Sequence, residues 1–172
     1  MKKNLSGFLI GISLVLIGSC SKSSDSQSTC DPNYQPCSVQ ASPAEIDSVR
    51  NYLIAHRDSI PNIADTVRHC SGMYYIIDSL GNGNSATVCS YVDVKYKGIL
   101  KDGTVFQDQT YSVIRLPLNQ LIAGFKNGIP LIKEGGGMHL YVPPSLGFGS
   151  QQNGPIPPNS MLIFQVSLSK IE

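Results

Sequence analysis

The sequence predicts an α+β fold, with five or six mostly antiparallel strands wrapped around one short helix. Three observations predict it. From residue 72 onward the apolar period is two, most clearly in YVDVKYKGIL (91–100) and MLIFQVSLSKI (161–171). One segment, NQLIAGFKNGIPLI (119–132), breaks that period and spaces Leu121, Ile122, Phe125 and Ile129 as a short helix would. Before residue 72, only 43–57 carries a helical stripe. The 172 residues leave room for one core with small additions.

Residues 1–20, MKKNLSGFLIGISLVLIGSC, open with Lys2 and Lys3 and continue with an apolar run over 8–17. That run is shorter than the roughly 20 apolar residues a bilayer-spanning helix needs, and its shape is that of an export signal. The ending Ile17-Gly18-Ser19-Cys20 resembles the lipobox of bacterial lipoproteins. The resemblance implies that 1–19 are removed and that Cys20 carries lipid. It also implies a cell-envelope lipoprotein, placed at the outer membrane and facing the periplasm. Loss of Lys2 and Lys3 from 13 basic residues, against 12 acidic ones, leaves a chain near neutrality. Membrane contact would then rest on the lipid anchor. A formal net charge of +1 also gives no footprint for nucleic acid.

Four further cysteines, Cys30, Cys37, Cys70 and Cys89, permit two disulfides in an exported chain, in three possible pairings. Cys30 and Cys37 bracket DPNYQP, a turn-rich hexapeptide, and form the expected local pair; Cys70 with Cys89 follows by elimination. The absence of CxxC removes support for thioredoxin-like redox chemistry. Residues 20–42 are rich in Ser, Gln, Asp and Pro without apolar period, the composition of a flexible tether. Residues 43–69 form a helical extension. Ser42 can cap its helix, with Pro43 in the first turn and Glu45 three residues after the cap. Ile46, Val49, Leu53 and Ile54 make its stripe.

The strands begin with MYYII (73–77), followed by the turn-forming DSLGNGNS (78–85). In 91–100, Val92, Val94 and Tyr96 share one face and Asp93, Lys95 and Lys97 the other. KDG (101–103) signals a hairpin into TVF, and YSVIRL (111–116) is a further strand. In 119–132, Gly124 and Gly128 weaken the helix and Pro130 falls near its end. MHLYV (138–142) and 161–171 complete the sheet, the last with Leu162, Phe164, Val166 and Leu168 on one face. Residues 141–166 hold five of the eleven prolines, including two Pro-Pro pairs around a Gly/Gln/Asn-rich loop. Proline donates no ladder hydrogen bond, so these pairs interrupt the sheet and stiffen what lies between them.

Four motifs follow one another: VxVxYxGxLxDGxxF (92–106), LIxGFxxGI (121–129), KEGGGxxLYVPPSLGFG (133–149) and IPPNSxLxFxVxL (156–168). Together they resemble the FKBP-type peptidyl-prolyl cis-trans isomerase family, over a domain spanning 70–172. The resemblance implies an antiparallel half-barrel around a short helix, with an apolar pocket beneath the proline-bracketed loop. It implies catalytic positions at Tyr96, Phe106, Gln107, Ile122, Phe125 and Phe148, and substrate-binding positions at Leu121, Ile156 and Phe164. The Ile122 N–H would meet a substrate carbonyl. No metal or other cofactor is implied; the partners implied are proline-containing unfolded or exported polypeptides. Three positions depart from the family pattern: Gln107 stands for Asp, Phe125 for Trp, and Phe148 for a loop Tyr. Apolarity survives while two polar contacts are lost, so a catalytically weak binding module or chaperone is the alternative function.

Other candidates carry less. Gly135-Gly136-Gly137 lacks the GK[ST] and following helix of a phosphate loop. His56, His69 and His139 are scattered over different elements, so no metal site is expected. His69 and Cys70 could suggest an activated thiol, but neighbours on an extended segment should point apart.

Overall fold

The structure is a computed structural model that describes residues 30–172. The signal segment and Cys20 lie outside the described residues. Among the described residues, two α-helices, α1 (Pro43–Ala55) and α2 (Ala123–Gly128), accompany seven strands. These are β1 (Val67–Arg68), β2 (Tyr74–Ser79), β3 (Tyr91–Leu100), β4 (Val105–Asp108), β5 (Ile114–Pro117), β6 (Gly137–Val142) and β7 (Leu162–Ile171). They form one sheet in the order β1-β2-β6-β7-β3-β4, and β5 shares the outer edge of β3 with β4. Every pairing is antiparallel. The expected α+β sheet around a short helix is present. The strand count exceeds five or six because β1 is only two residues and the β3 edge is divided between β4 and β5.

The centre is the long ladder of β3 with β7, running from Val92 opposite Ile171 to Leu100 opposite Leu162. Alternation works here as the period of two requires. Val92, Val94, Leu162, Phe164, Val166 and Leu168 turn inward to the core that also receives α2. The helix lies close to β6 because Gly124 and Gly128 carry no side chain. A Cβ at Gly124 would come within 2.7 Å of Val142, and one at Gly128 within 2.7 Å of Leu140. The two glycines weaken the helix locally and are what allow it to dock.

α1 covers the opposite face of the sheet. Its capping box forms as the sequence requires, with the Glu45 N–H donating to Ser42 Oγ at 3.3 Å and the Ser42 N–H to Glu45 Oε2 at 2.8 Å. Val49 and Leu53 bury against Ile76, Tyr141 and Ile163 in a second core. Ile54 does not join the stripe. It is 61% exposed, since one residue beyond Leu53 turns about 100° away at the last turn of the helix.

The cysteines pair differently from expectation. Cys30 bonds Cys89 and Cys37 bonds Cys70, so neither the local Cys30–Cys37 pair nor Cys70–Cys89 forms. Closeness in sequence mattered less than the fold, which brings the bonded Cα atoms to 5.5 and 5.6 Å, well inside bridging range. Residues 30–42 are therefore fastened to the sheet domain at two points instead of trailing as a tether. The Ala41 N–H also donates to the Ser71 carbonyl at 2.8 Å.

Candidate functional site

A cleft of about 370 Å³ opens at the end of the sheet where α2 begins. Its floor is built from Phe125 on α2 and Phe164 on β7, only 4% and 3% exposed, with ring centroids 4.7 Å apart at 62°. Tyr96 on β3 meets Phe125 edge-on at 5.7 Å and 82°. Phe106 on β4 meets Phe164 at 5.7 Å and 88°. Such edge-to-face contacts hold each ring against rotation and keep the floor shaped before a ligand arrives. Gly98 makes room for this, because a Cβ there would run into the Phe106 ring.

The start of α2 forms one wall. Leu121 and Ile122 are half-buried and face the cleft. The Ile122 carbonyl accepts from Phe125 at 3.0 Å and Lys126 at 3.2 Å, while its N–H pairs with no other described residue. The proline-rich loop forms the opposite rim through Phe148 and Ile156. Its shape is fixed by its own backbone. Leu146 N–H donates to the Pro143 carbonyl at 3.0 Å, and Gly149 N–H to the Pro144 carbonyl at 2.9 Å. Asn153 and Ile156 exchange bonds of 3.1 and 2.9 Å around Gly154, whose φ of +54° suits glycine. The prolines sit where no donor is needed, so the rim leaves the sheet without stranding amides.

All nine positions inferred from the motifs line this one cleft: Tyr96, Phe106, Gln107, Leu121, Ile122, Phe125, Phe148, Ile156 and Phe164. Four others lie beside them: Leu116, Gln120, Asn153 and Pro155. Leu116 precedes Pro117 at the end of β5 and reaches the cleft only because β5 pairs back onto β3. Asn153 and Pro155 sit in a loop without periodicity, which no alternation signal could mark. Among the described residues, the lining holds no carboxylate, imidazole, lysine or arginine. Tyr96 is the one titratable group of the lining among the described residues, and burial pushes that phenol up from its ordinary value.

A larger cavity of about 620 Å³ lies between the N-terminus of α1 and Lys101, Asp102 and Pro158. Its lining includes charged groups and no aromatic side chain, so it has no counterpart to the stacked-ring floor of the cleft. Among the described residues, one group of side chains has metal-ligand spacing: Cys37, His69 and Cys70, within 4.8 Å of one another. The two sulfurs are bonded to each other, which leaves the imidazole alone as a free ligand. His69 and Cys70 do not point apart as expected. The sulfur lies 3.7 Å from both ring nitrogens, but as part of a disulfide it is no nucleophile.

Comparison with known proteins gives a consistent answer. The family model described as "FKBP-type peptidyl-prolyl cis-trans isomerase" matches residues 83–169. The isomerase FkpA of Buchnera aphidicola (subsp. Schizaphis graminum) is 43% identical over 106 residues, which cover 59% of this chain and 42% of that protein. The peptidyl-prolyl cis-trans isomerase Mip of Coxiella burnetii is 37% identical over 106 residues, covering 59% and 46%. The crystal structure of Escherichia coli FkpA superposes with a TM-score of 0.64 at 27% identity, over 75% of this chain and 62% of that one. The chain thus spans less than half the length of these two curated relatives.

Proposed function

The chain belongs to the FKBP-type peptidyl-prolyl cis-trans isomerase family, and we propose that it catalyses X-Pro isomerisation in unfolded polypeptides, using the Phe125–Phe164 cleft. The observation that carries this reading is an uncharged, aromatic-floored cleft with a backbone N–H at its wall. The barrier to peptide rotation, roughly 18–20 kcal/mol, comes from amide resonance. In the twisted transition state that resonance is lost and the charge separation of the amide shrinks. A dry apolar surface therefore favours the twisted form over the planar one. The proline ring rests on Phe125 and Phe164, Tyr96 and Phe106 close its sides, and the Ile122 N–H donates to the substrate carbonyl. Gln107 faces the same space as a neutral donor and acceptor. This chemistry requires no cofactor.

The alternative, a binding module with little catalysis, is favoured by one specific observation: Phe148 and Gln107 line the cleft without a phenolic hydroxyl or a carboxylate. Proline-limited refolding, whose uncatalysed phase lasts roughly 10–100 s, separates the two. Acceleration by catalytic amounts of the protein supports the isomerase. Binding of proline peptides with no acceleration supports the module.

The domain division 43–69 and 70–172, and an envelope lipoprotein anchored through Cys20, are part of the same proposal. The signal-like 1–19 and two disulfides, which persist in oxidising compartments, support export. Cys20→Ser should move the protein from the membrane to the soluble fraction or leave it unprocessed. Membrane retention with normal cleavage would count against the anchor.

A further inference from the structure

The short helix α2 supplies both the Phe125 floor and the approach to the Ile122 N–H, yet six residues make a marginal helix. Its position is set by what grips it. On one side the sheet does so, through Val142 and Leu140. On another side lies Tyr34, whose hydroxyl donates to Asn127 Oδ1 at 2.8 Å. The Lys126 ammonium stands 5.3 Å from the Tyr34 ring centroid, within cation–π range. Asn127 is 2% exposed, and its Nδ2 has no partner among the described residues. Tyr34 is therefore the one hydrogen-bond partner of that side chain among the described residues.

Tyr34 is itself held at both ends. Cys30 and Cys37 lie on either side of it and bond Cys89 and Cys70. Between them the strap is turned by its own bonds, with Tyr34 N–H donating to the Asp31 carbonyl at 3.2 Å and Asn33 N–H to Asp31 Oδ1 at 2.9 Å. Pro32 and Pro36 restrict the backbone beside it. The strap itself, residues 30–37, lies outside 83–169, the segment that matches the family, while Cys89, Lys126 and Asn127, which it meets, lie inside, so this chain's own N-terminal residues supply one side of the grip.

We propose that Tyr34 is a positioning residue for the cleft: pinned between two disulfides, it fixes α2 through Asn127 and so sets Phe125 and the Ile122 N–H. This rests on the isomerase reading above. The double anchorage limits the entropy that Tyr34 would otherwise lose in making its bond. Its contact acts two residues from Phe125 on the same helix, so loosening it tilts the floor without touching substrate.

The test uses the mature chain in proline-limited refolding, titration of a Leu-Pro tetrapeptide, and amide spectra, all far below the thermal midpoint. Tyr34→Phe keeps the ring and removes the hydroxyl; it should lower kcat/KM by about threefold to tenfold, mostly in kcat. The Ile122 and Phe125 amide signals should shift. In an Asn127→Leu background, Tyr34→Phe should have no further effect, because the bond is already gone. Removing the anchor with Cys30→Ser and Cys89→Ser should change kcat/KM in the same direction. Unchanged kcat/KM and amide signals in Tyr34→Phe, with only a lower thermal midpoint, would leave Tyr34 a structural residue and overturn the inference while the isomerase reading stands. If the wild type binds the tetrapeptide without catalysis, the isomerase reading fails and the peptide affinity of Tyr34→Phe decides instead: a loss supports the grip and equal affinity overturns it. A wild type that neither catalyses nor binds overturns both.

Discussion

Phe148 holds one rim of the cleft with a ring and no hydroxyl, and its neighbours explain what a hydroxyl would add. Among the described residues the lining is uncharged, and its polar side chains besides the Tyr96 phenol are amides: Gln107, Gln120 and Asn153. A phenol at 148 would offer a substrate carbonyl a second donor opposite the Ile122 N–H. One such bond is worth about 0.5–1.5 kcal/mol, or up to roughly tenfold in rate if expressed only in the transition state. Phe148→Tyr should therefore raise kcat/KM in proline-limited refolding by up to about tenfold, with the thermal midpoint nearly unchanged. Gln107→Asp, made separately and together with it, tells whether a carboxylate adds to that gain. At this scale the aromatic positions were legible through the family resemblance, whose motifs carry Tyr96, Phe106, Phe125, Phe148 and Phe164. Leu116 was not, because its place in the cleft depends on β5 returning to β3.

The two helices occupy opposite faces of the sheet, so similar damage to each should read out differently. Leu53 on α1 is 6% exposed and packs only in the second core. Leu53→Ala should cost about 2–5 kcal/mol in chemical denaturation while leaving kcat/KM of the folded fraction unchanged. Gly124→Ala on α2 adds a single methyl, but its Cβ meets the stiff, branched Val142 at 2.7 Å. It should destabilise by about 1–3 kcal/mol and lower kcat/KM as well, since α2 must lift away from β6 and carries Phe125 with it. Equal catalytic loss in both variants would mean that the cleft depends on global stability alone. The capping box of α1 was readable from Ser42, Pro43 and Glu45, because capping is a local interaction. The exposure of Ile54 was not, because periodicity names a face without saying how far the partner surface extends. Likewise Gly124 and Gly128 read as flaws in a helix until the sheet beneath them is seen.

Across the whole molecule, charge is kept away from the cleft and two cross-links close long stretches of chain. Tyr96, the one titratable group in the lining among the described residues, has its phenol pushed up by burial. Its neutral form therefore persists throughout the ordinary working range, and kcat/KM should be flat from about pH 5 to 9. A bell-shaped profile centred near neutrality would show that a group outside the lining takes part. Tyr141, in the core under α1, is pushed up to about 12, chiefly by burial. A raised folded value means its contribution to stability is fully present below about pH 10 and is lost as pH rises towards 12. Alkaline unfolding should fall in that window. The cross-links span 59 and 33 residues, and chain-entropy reasoning gives each about 4 kcal/mol. Reduction should thus lower the denaturation midpoint markedly, and by more than the loss of a local Cys30–Cys37 pair would have done.

By itself the sequence determined the alternating strands, the capped first helix, the position of the second, and the set of side chains that meet in the cleft. The strands and helices follow from local periodicity and backbone chemistry, which are properties of neighbouring residues, and the cleft residues follow from the resemblance of the motifs to the family. Only the tertiary structure decided how the cysteines pair, which residues of α1 are buried, and why α2 tolerates two glycines. It also decided that Tyr34, on a segment composed like a tether, reaches Asn127 across 93 positions of sequence. Those outcomes depend on distances between elements remote in the chain, and such distances are fixed when the two cores close on either side of one sheet.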